Sequence, residues 1–370
     1  MSGPSPAPPA SRQGRWLAVT FGVALAGFTF LCWRDANRPP VRAVSGGTYF
    51  GKDVDGRLVY VNLFELDYGD RRFLGWQGWL YREGQGQAEW FTTEKRAHPW
   101  KQTFHGRERD DAKSPPESTV TSTDISHRLN VALPRLNSWG SDTANLTRQF
   151  EHVGFRRVAG IRFGRVGGTQ QYYAQFPRLA ETSVFLAAVS REILAQCEAG
   201  AAEFNSEAFD FWKGMIRERQ LPGFNQYEFT ANWQLRLLTT NLASFSVSSY
   251  DATGGNGNHS HWGGVNLIAT DAGARSLKAA ELFREVSEND LRARCVPKLK
   301  AIGAPRPEAV FDKDVTLDTF TLSPTGLQIY FNPYAIASGA DGEFVVHFDY
   351  AELKDLLRDD GPALWLPCGN

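Results

Sequence analysis

The chain is short of the features from which most biochemical activities are read. Four cysteines stand in 370 residues, none in a Cys-x-x-Cys pair or at zinc-ligand spacing, which excludes a zinc ribbon and a densely disulfide-stapled scaffold. There is no His-Glu-x-x-His, no Gly-x-Ser-x-Gly elbow and no phosphate-cradling Walker loop, so an enzymatic reading has no motif to start from and no cofactor is called for. Nor is there a surplus of one charge. Lys plus Arg number 40 and Asp plus Glu 41, with no basic stripe, so the counterion release that drives nucleic-acid binding has no source.

What is present begins at the amino terminus. After a Pro/Ser-rich start, residues 1–15, the run Trp16 to Trp33 carries no charge. As a helix it reaches about 27 Å, just short of the hydrocarbon core but workable with a tryptophan in each interface. It is expected to be an uncleaved single-pass anchor. A cleaved signal peptide is the alternative, but "CWRDANRPP" supplies no good small-residue pair for cleavage. Arginines flank the run on both sides, so charge does not set its orientation. The folded mass all follows it, which places the bulk of the chain in the periplasm or outside the cell.

The exported part, 42% hydrophobic residues overall, is long enough to bury a sizeable core. Residues 34–45 and 106–125 read as linkers, the first carrying Pro39-Pro40 and the second Pro115-Pro116 beside a Ser/Thr cluster. Between them, 46–105 alternates aromatic runs with glycine turns, a small β-rich meander with a hairpin signal at Asp55-Gly56. Its Trp76, Trp79 and Trp90 belong either to that module's core or to a carbohydrate-stacking face. From 126 to 225 and 226 to 360 the pattern is α+β, an antiparallel sheet with helices on one face, followed by a tail at 361–370. A helix is expected from a cap at Thr182 or Ser183 to about Glu198, with Gly200 as its stop, and another near Asn289–Val296, stopped by Pro297. Asp349 and Glu352 have capping-box spacing. Cys197 falls on the apolar face Phe185, Val189, Ile193 and is expected to fill the core. Cys295 with Cys368 is the expected pairing if a disulfide forms.

The stretch "SYDATGGNGNHSHWGG", Ser249 to Gly264, is the most distinctive loop. His259 and His261 share a face if the segment is a strand, and a zinc site would need further ligands, for which Asp251 and Asp271 are candidates. Five glycines between Gly254 and Gly264, with asparagines among them, suit an exposed connection instead. We read it as a plain or partner-contacting loop whose candidate ligand-binding residues are Tyr250, Asn256, His259, His261 and Trp262. Trp262 either staples the loop to the core or anchors a partner.

The segments "YYAQFPRLAETSVFLAAVSREILAQCEAGAAEF", "YDATGG", "VNLIATDAGARSLKAAELF" and "GLQIYFNPYAIASGADGEFVVHFDYAELKDLL" together resemble the paired uncharacterised domains in the exported parts of the lysozyme-sensing anti-sigma factor RsiV and the peptidoglycan deacetylase PdaC. The likeness covers residues 160 to 360. The family's usual Gly-Gly-Ala-His is replaced here by Gly254-Gly255-Asn256-Gly257-Asn258, and neither a metal-binding catalytic domain nor a sigma-factor-binding domain is recognisable. The resemblance therefore implies a bacterial envelope protein that binds or senses peptidoglycan or a lysozyme-like protein and is not an enzyme. The rival reading is a metal-dependent wall hydrolase or deacetylase using His259 and His261.

Overall fold

Among the described residues sixteen strands are laid down in chain order, and all but three join one sheet. The computed structural model describes residues 41–66, 75–83, 89–93, 100–103, 119–122, 128–134, 141–163, 166–217, 226–253, 259–284, 287–332, 334–338 and 341–367. The strands are β1 Val41–Lys52, β2 Leu58–Leu66, β3 Gly75–Arg82, β4 Glu89–Thr93, β5 Trp100–Thr103, β6 Thr119–Ser122, β7 Arg128–Pro134, β8 Ser141–Phe163, β9 Val166–Pro177, β10 Gln226–Leu238, β11 Leu242–Thr253, β12 His259–Thr270 and β13 Gly273–Ser276, all in the main sheet, then β14 Phe320–Leu322, β15 Gly326–Phe331 and β16 Phe344–Asp349 in a second one. The helices are α1 Val184–Arg217, α2 Ser287–Ala301 and the single turn α3 Tyr350–Leu353. The run Trp16–Trp33 lies outside the described residues, among which no helix is long and apolar enough to cross a membrane.

The α+β class holds, with sheet predominating. Neighbouring strands run antiparallel except β9 and β10, which pair in parallel because α1 intervenes between them as a crossover. The segment expected as a separate meander is continuous with the rest: β1 pairs with β2 on one edge and with β8 on the other, and β6, inside the expected second linker, pairs with β5 and β7. The first linker likewise overlaps β1. Residues Val41–Asn370 form one compact unit. At the Asp55-Gly56 turn Gly56 has φ +79° and donates to the Asp53 carbonyl, as a hairpin glycine does.

Three apolar clusters follow from strand alternation. Val59, Val61 and Leu63 of β2 meet Trp76 and Leu80 of β3 and Leu129, Val131 and Leu146 of β7 and β8, so Trp76 and Trp79, 4% and 5% exposed, are not available to stack on sugars. Trp233, Leu235, Phe245 and Leu267 form a second cluster with Phe185, Val189, Ile193 and Cys197 of α1. The Ser183 hydroxyl accepts from the Leu186 N–H, the expected cap. Gly200 does not end this helix. It lies inside it, where an added Cβ would sit 2.9 Å from the Tyr172 hydroxyl, so its small size serves helix–sheet approach rather than a left-handed stop.

The third cluster joins Ile268 and Leu242 of the main sheet to Leu291, Cys295 and Leu299 of α2 and to Phe320, Ile329 and Val346 of the second sheet. Thus both faces of the main sheet are covered at this end, one by α1 and the other by α2 with β14–β16. Pro297 sits within α2 rather than after it. Cys295 and Leu299 on either side are fully buried, and that packing carries the helix past the missing N–H. Cys295 is a free thiol, and Cys368, its expected partner if a disulfide forms, lies outside the described residues. The Asp349 N–H donates to Glu352 at 2.8 Å, as the capping-box spacing requires.

Candidate functional site

Strand alternation divides the residues of the distinctive loop between two faces. Asp251 is opposite His259, Ser249 opposite His261, Tyr250 opposite Ser260 and Ser248 opposite Trp262. Directly opposed residues share a face, so His261, Asp251 and Ser249 lie on the α1 side of the sheet, and Tyr250 and Trp262 on the other. Asn256 lies outside the described residues, and only the backbone of His259 is described. His261 is exposed. Of the two acids suggested as metal ligands, Asp251 is the cross-strand neighbour of His259, whereas Asp271 follows the far end of β12, about 40 Å away along an extended strand. Among the described residues no group of three or more His, Cys, Asp or Glu is placed to hold a metal ion.

Trp262 is half-buried and bridges three segments. Its ring stacks on Tyr330 of β15, 6.0 Å between centroids and 6° apart in plane, and meets Trp79 of β3 edge-on at 5.8 Å. Its backbone N–H donates to Asn332 Oδ1 at 2.9 Å. Two residues along, Gly264 runs under β14 so closely that a Cβ would fall 1.7 Å from the Phe320 carbonyl oxygen, and the Asn266 amide donates to that same oxygen at 2.7 Å. Trp262→Ala is therefore expected to lower unfolding stability by about 2 kcal/mol, part of a full aromatic truncation because the ring is only half-buried. Denaturant unfolding checks this, and an unchanged midpoint would mean that the stack contributes nothing to stability.

A second set of residues was not singled out by sequence. Between the two layers lies a row of buried polar side chains: Gln175, Gln234, Arg236, Ser244, Ser246, Asn266 and Gln328. Arg236 is at a bulge: Leu235 opposes Phe245, but the next pair is Leu237 with Ser244, leaving Arg236 as the extra residue. Consequently Arg236 and Leu237 both reach toward the second layer. The guanidinium lies 4.7 Å from the Tyr81 ring centroid and 6.0 Å from that of Tyr60, and donates through Nη2 to Gln328 Oε1 at 2.5 Å. The only trace of this in sequence is the polar half of "QYEFTANWQLRLL", Asn232, Gln234 and Arg236, which reads as a solvent face.

A further buried group joins Thr48, Asn62 and His152. Thr48 Oγ1 donates to Asn62 Oδ1 at 2.9 Å and lies 2.8 Å from His152 Nε2. A hydroxyl beside an imidazole has the geometry of an activated nucleophile. Burial decides against that role: Thr48 and His152 are 0% exposed and Asn62 1%, so no substrate reaches them. Burial, with the nearby Arg148 charge, holds His152 down at about 3 against a weaker opposing pull from the Leu63 backbone. It is a neutral structural group. Burial likewise pushes the Cys197 and Cys295 thiols up to about 12, which removes them as nucleophiles near neutral pH.

The second layer is also where the match to a protein family falls. Residues 281–351 match the family described as "Protein of unknown function (DUF3298)". In this structure the DUF3298 segment comprises α2, β14, β15 and β16, and it supplies Phe320, Gln328, Tyr330 and Asn332 to the contacts above. No curated protein matches the chain. Two crystal structures are similar to it: a DUF3298 family member from Bacteroides fragilis NCTC 9343, 14% identical, TM-score 0.41, covering 57% of this chain and 94% of that one; and a DUF3298 family protein from Pseudomonas aeruginosa PAO1, 15% identical, TM-score 0.36, covering 56% of this chain and 94% of that one.

Proposed function

We propose that this chain is a membrane-anchored, envelope-exposed, non-catalytic protein that captures an exported protein of the lysozyme type. The observation that carries the choice of a protein ligand is a groove of about 650 Å³ between the start of β1, the middle of β8, the end of β9 and α1. Phe150, Leu179 and Leu194 line it, and Glu151, Arg178, Glu181 and Arg191 are exposed around it. An apolar floor with charges of both signs at the rim suits a protein surface that brings one apolar anchor and its own ion pairs. A wall glycan would want flat exposed rings, and the tryptophans of β3 are buried. The anchor reading rests on the uncharged run Trp16–Trp33.

The test is capture of lysozyme and of peptidoglycan fragments, in separate arms, by the full chain. Leu194→Glu is expected to weaken lysozyme capture at least tenfold while the unfolding midpoint stays close to that of the parent. Capture of fragments alone would move the ligand to glycan, and capture of neither would remove the binding reading. Stoichiometric zinc that disappears when His259 and His261 are both replaced by alanine would favour the hydrolase instead. A reporter fused after Asn370, active only outside the cytoplasm, checks the placement.

A further inference from the structure

Arg236 is 3% exposed, and among the described residues no carboxylate pairs with it. Its one hydrogen-bond acceptor is the neutral amide oxygen of Gln328, and the rings of Tyr60 and Tyr81 lie within cation–π range. Burial pushes the Tyr60 phenol well above its ordinary value, so no tyrosinate supplies a counter-charge. The Arg236 guanidinium stays charged at neutral pH even when buried. A buried cation with only neutral partners is an expensive arrangement unless something negative completes it.

The neighbouring polar atoms are also incomplete, and they lie together. Arg236 Nε, both amide atoms of Gln234 and the hydroxyls of Ser246 and Ser248 are buried with no hydrogen-bond partner. Ser246 is directly opposite Gln234 across the β10–β11 ladder, and Ser248 is two residues further along the same face. Arg236 stands two residues from Gln234 and faces the same side by ordinary alternation. Arg236, Gln234 and Ser246 thus occupy a patch about 7 Å long on adjacent strands, with Ser248 about 7 Å further on, opposite Asn232. The shared property of these three is the capacity to donate: a guanidinium N–H, an amide NH2 and a hydroxyl.

We propose that this patch, between the main sheet and the DUF3298 segment, binds a small monovalent inorganic anion of the chloride class, with Arg236 as its charge partner and Gln234 and Ser246 as hydrogen-bond donors. The burial sets the size: Gln234 and Ser246 are 0% exposed, which shuts out a sugar acid or nucleotide. Because Tyr60, Tyr81 and Gln328 come from β2, β3 and β15, the anion ties the bulge to both the amino-terminal strands and the second layer. The inference is independent of what the protein captures on its surface.

The experiment is thermal unfolding of the purified full chain in detergent, at constant ionic strength, as chloride is exchanged for gluconate. The unfolding temperature is expected to rise with chloride concentration toward a saturating dependence, as it does when a ligand binds the native state alone, and bromide is expected to substitute. Arg236→Gln is expected to abolish the chloride-specific increment. If that variant does not fold, Gln234→Leu keeps the charge and is expected to raise the apparent chloride dissociation constant at least tenfold. Equal unfolding temperatures in chloride and gluconate for the parent chain would overturn the proposal and leave the orphan atoms to internal water. So would a chloride increment that survives Arg236→Gln, or one unchanged by Gln234→Leu. Anomalous scattering from a bromide-soaked crystal is expected at Arg236 Nε, and bromide ordered only elsewhere would likewise overturn it.

Discussion

Asp53→Ala is expected to cost about 3–5 kcal/mol of unfolding free energy, because it takes a buried carboxylate from the buried Arg82 guanidinium. Arg82 is fully buried and Asp53 6% exposed. Arg82 Nε donates to Asp53 Oδ2 at 2.8 Å, and Nη2 lies 2.7 Å from the same oxygen. Asp53 Oδ1 accepts from the backbone N–H groups of Asp55 and Arg57, so the same carboxylate also ties down the β1–β2 hairpin. Burial by itself would raise the Asp53 carboxyl. The Arg82 hydrogen bond, the Arg57 N–H and the Arg82 charge together outweigh it and hold the group below its ordinary value. Arg82 extends from the same face of β3 as Trp76 and Leu80, the apolar interior of the amino-terminal strands. Removing both charges with Asp53→Ala and Arg82→Met together is expected to recover much of the loss, since well-packed apolar groups replace a buried pair at little cost. Urea unfolding of the two variants measures the difference. A single variant that unfolds like the parent would show that Arg82 finds water when Asp53 is gone.

Acid is expected to unfold the protein through His152 before the carboxylates titrate. The ordinary imidazole value is 6.5, and in the folded chain His152 is held at about 3. Between those values the unfolded chain binds a proton that the folded chain does not, so stability is full above pH 6.5 and falls as pH drops toward 3. The slope approaches about 1.4 kcal/mol per pH unit. At pH 4.5 the loss is about 3 kcal/mol, and it is about 5 kcal/mol at the lower limit. Asp53, with its folded value lowered from 3.8, and Glu281, Glu308 and Glu352, lowered from 4.5, contribute in the same direction only below about pH 5.5, so a comparison of pH 7.5 with about pH 5.5 isolates the histidine. Denaturant unfolding of the parent chain and of His152→Gln at the two values is the measurement. The variant is expected to be less stable at pH 7.5, because it disturbs the Thr48 and Asn62 hydrogen bonds, and nearly flat between the two. An equally steep fall in the variant would assign the acid response to another group.

Much of the local structure is legible in the sequence, because local signals decide it. The Asp55-Gly56 turn, the Ser183 cap, the Asp349–Glu352 capping box and the core role of Cys197 each depend on a few neighbouring residues or on one periodicity, and each is present. Alternation likewise predicts Tyr227, Phe229, Ala231 and Trp233 on one face, and of these Ala231 and Trp233 are buried against α1. What could not be read is what covers the other face. Gln234, Arg236, Ser244, Ser246 and Asn266 are polar residues on alternating strand positions, the pattern of a solvent-facing side, yet the DUF3298 segment lies over them. Pairing of β1 with β8 is also invisible locally, since the partners are about a hundred residues apart and nothing in either strand names the other. Strand type and face follow from side-chain period, which is a property of the chain itself. Which face meets water depends on a second layer arriving from sixty to ninety residues away, and only the tertiary structure decides that.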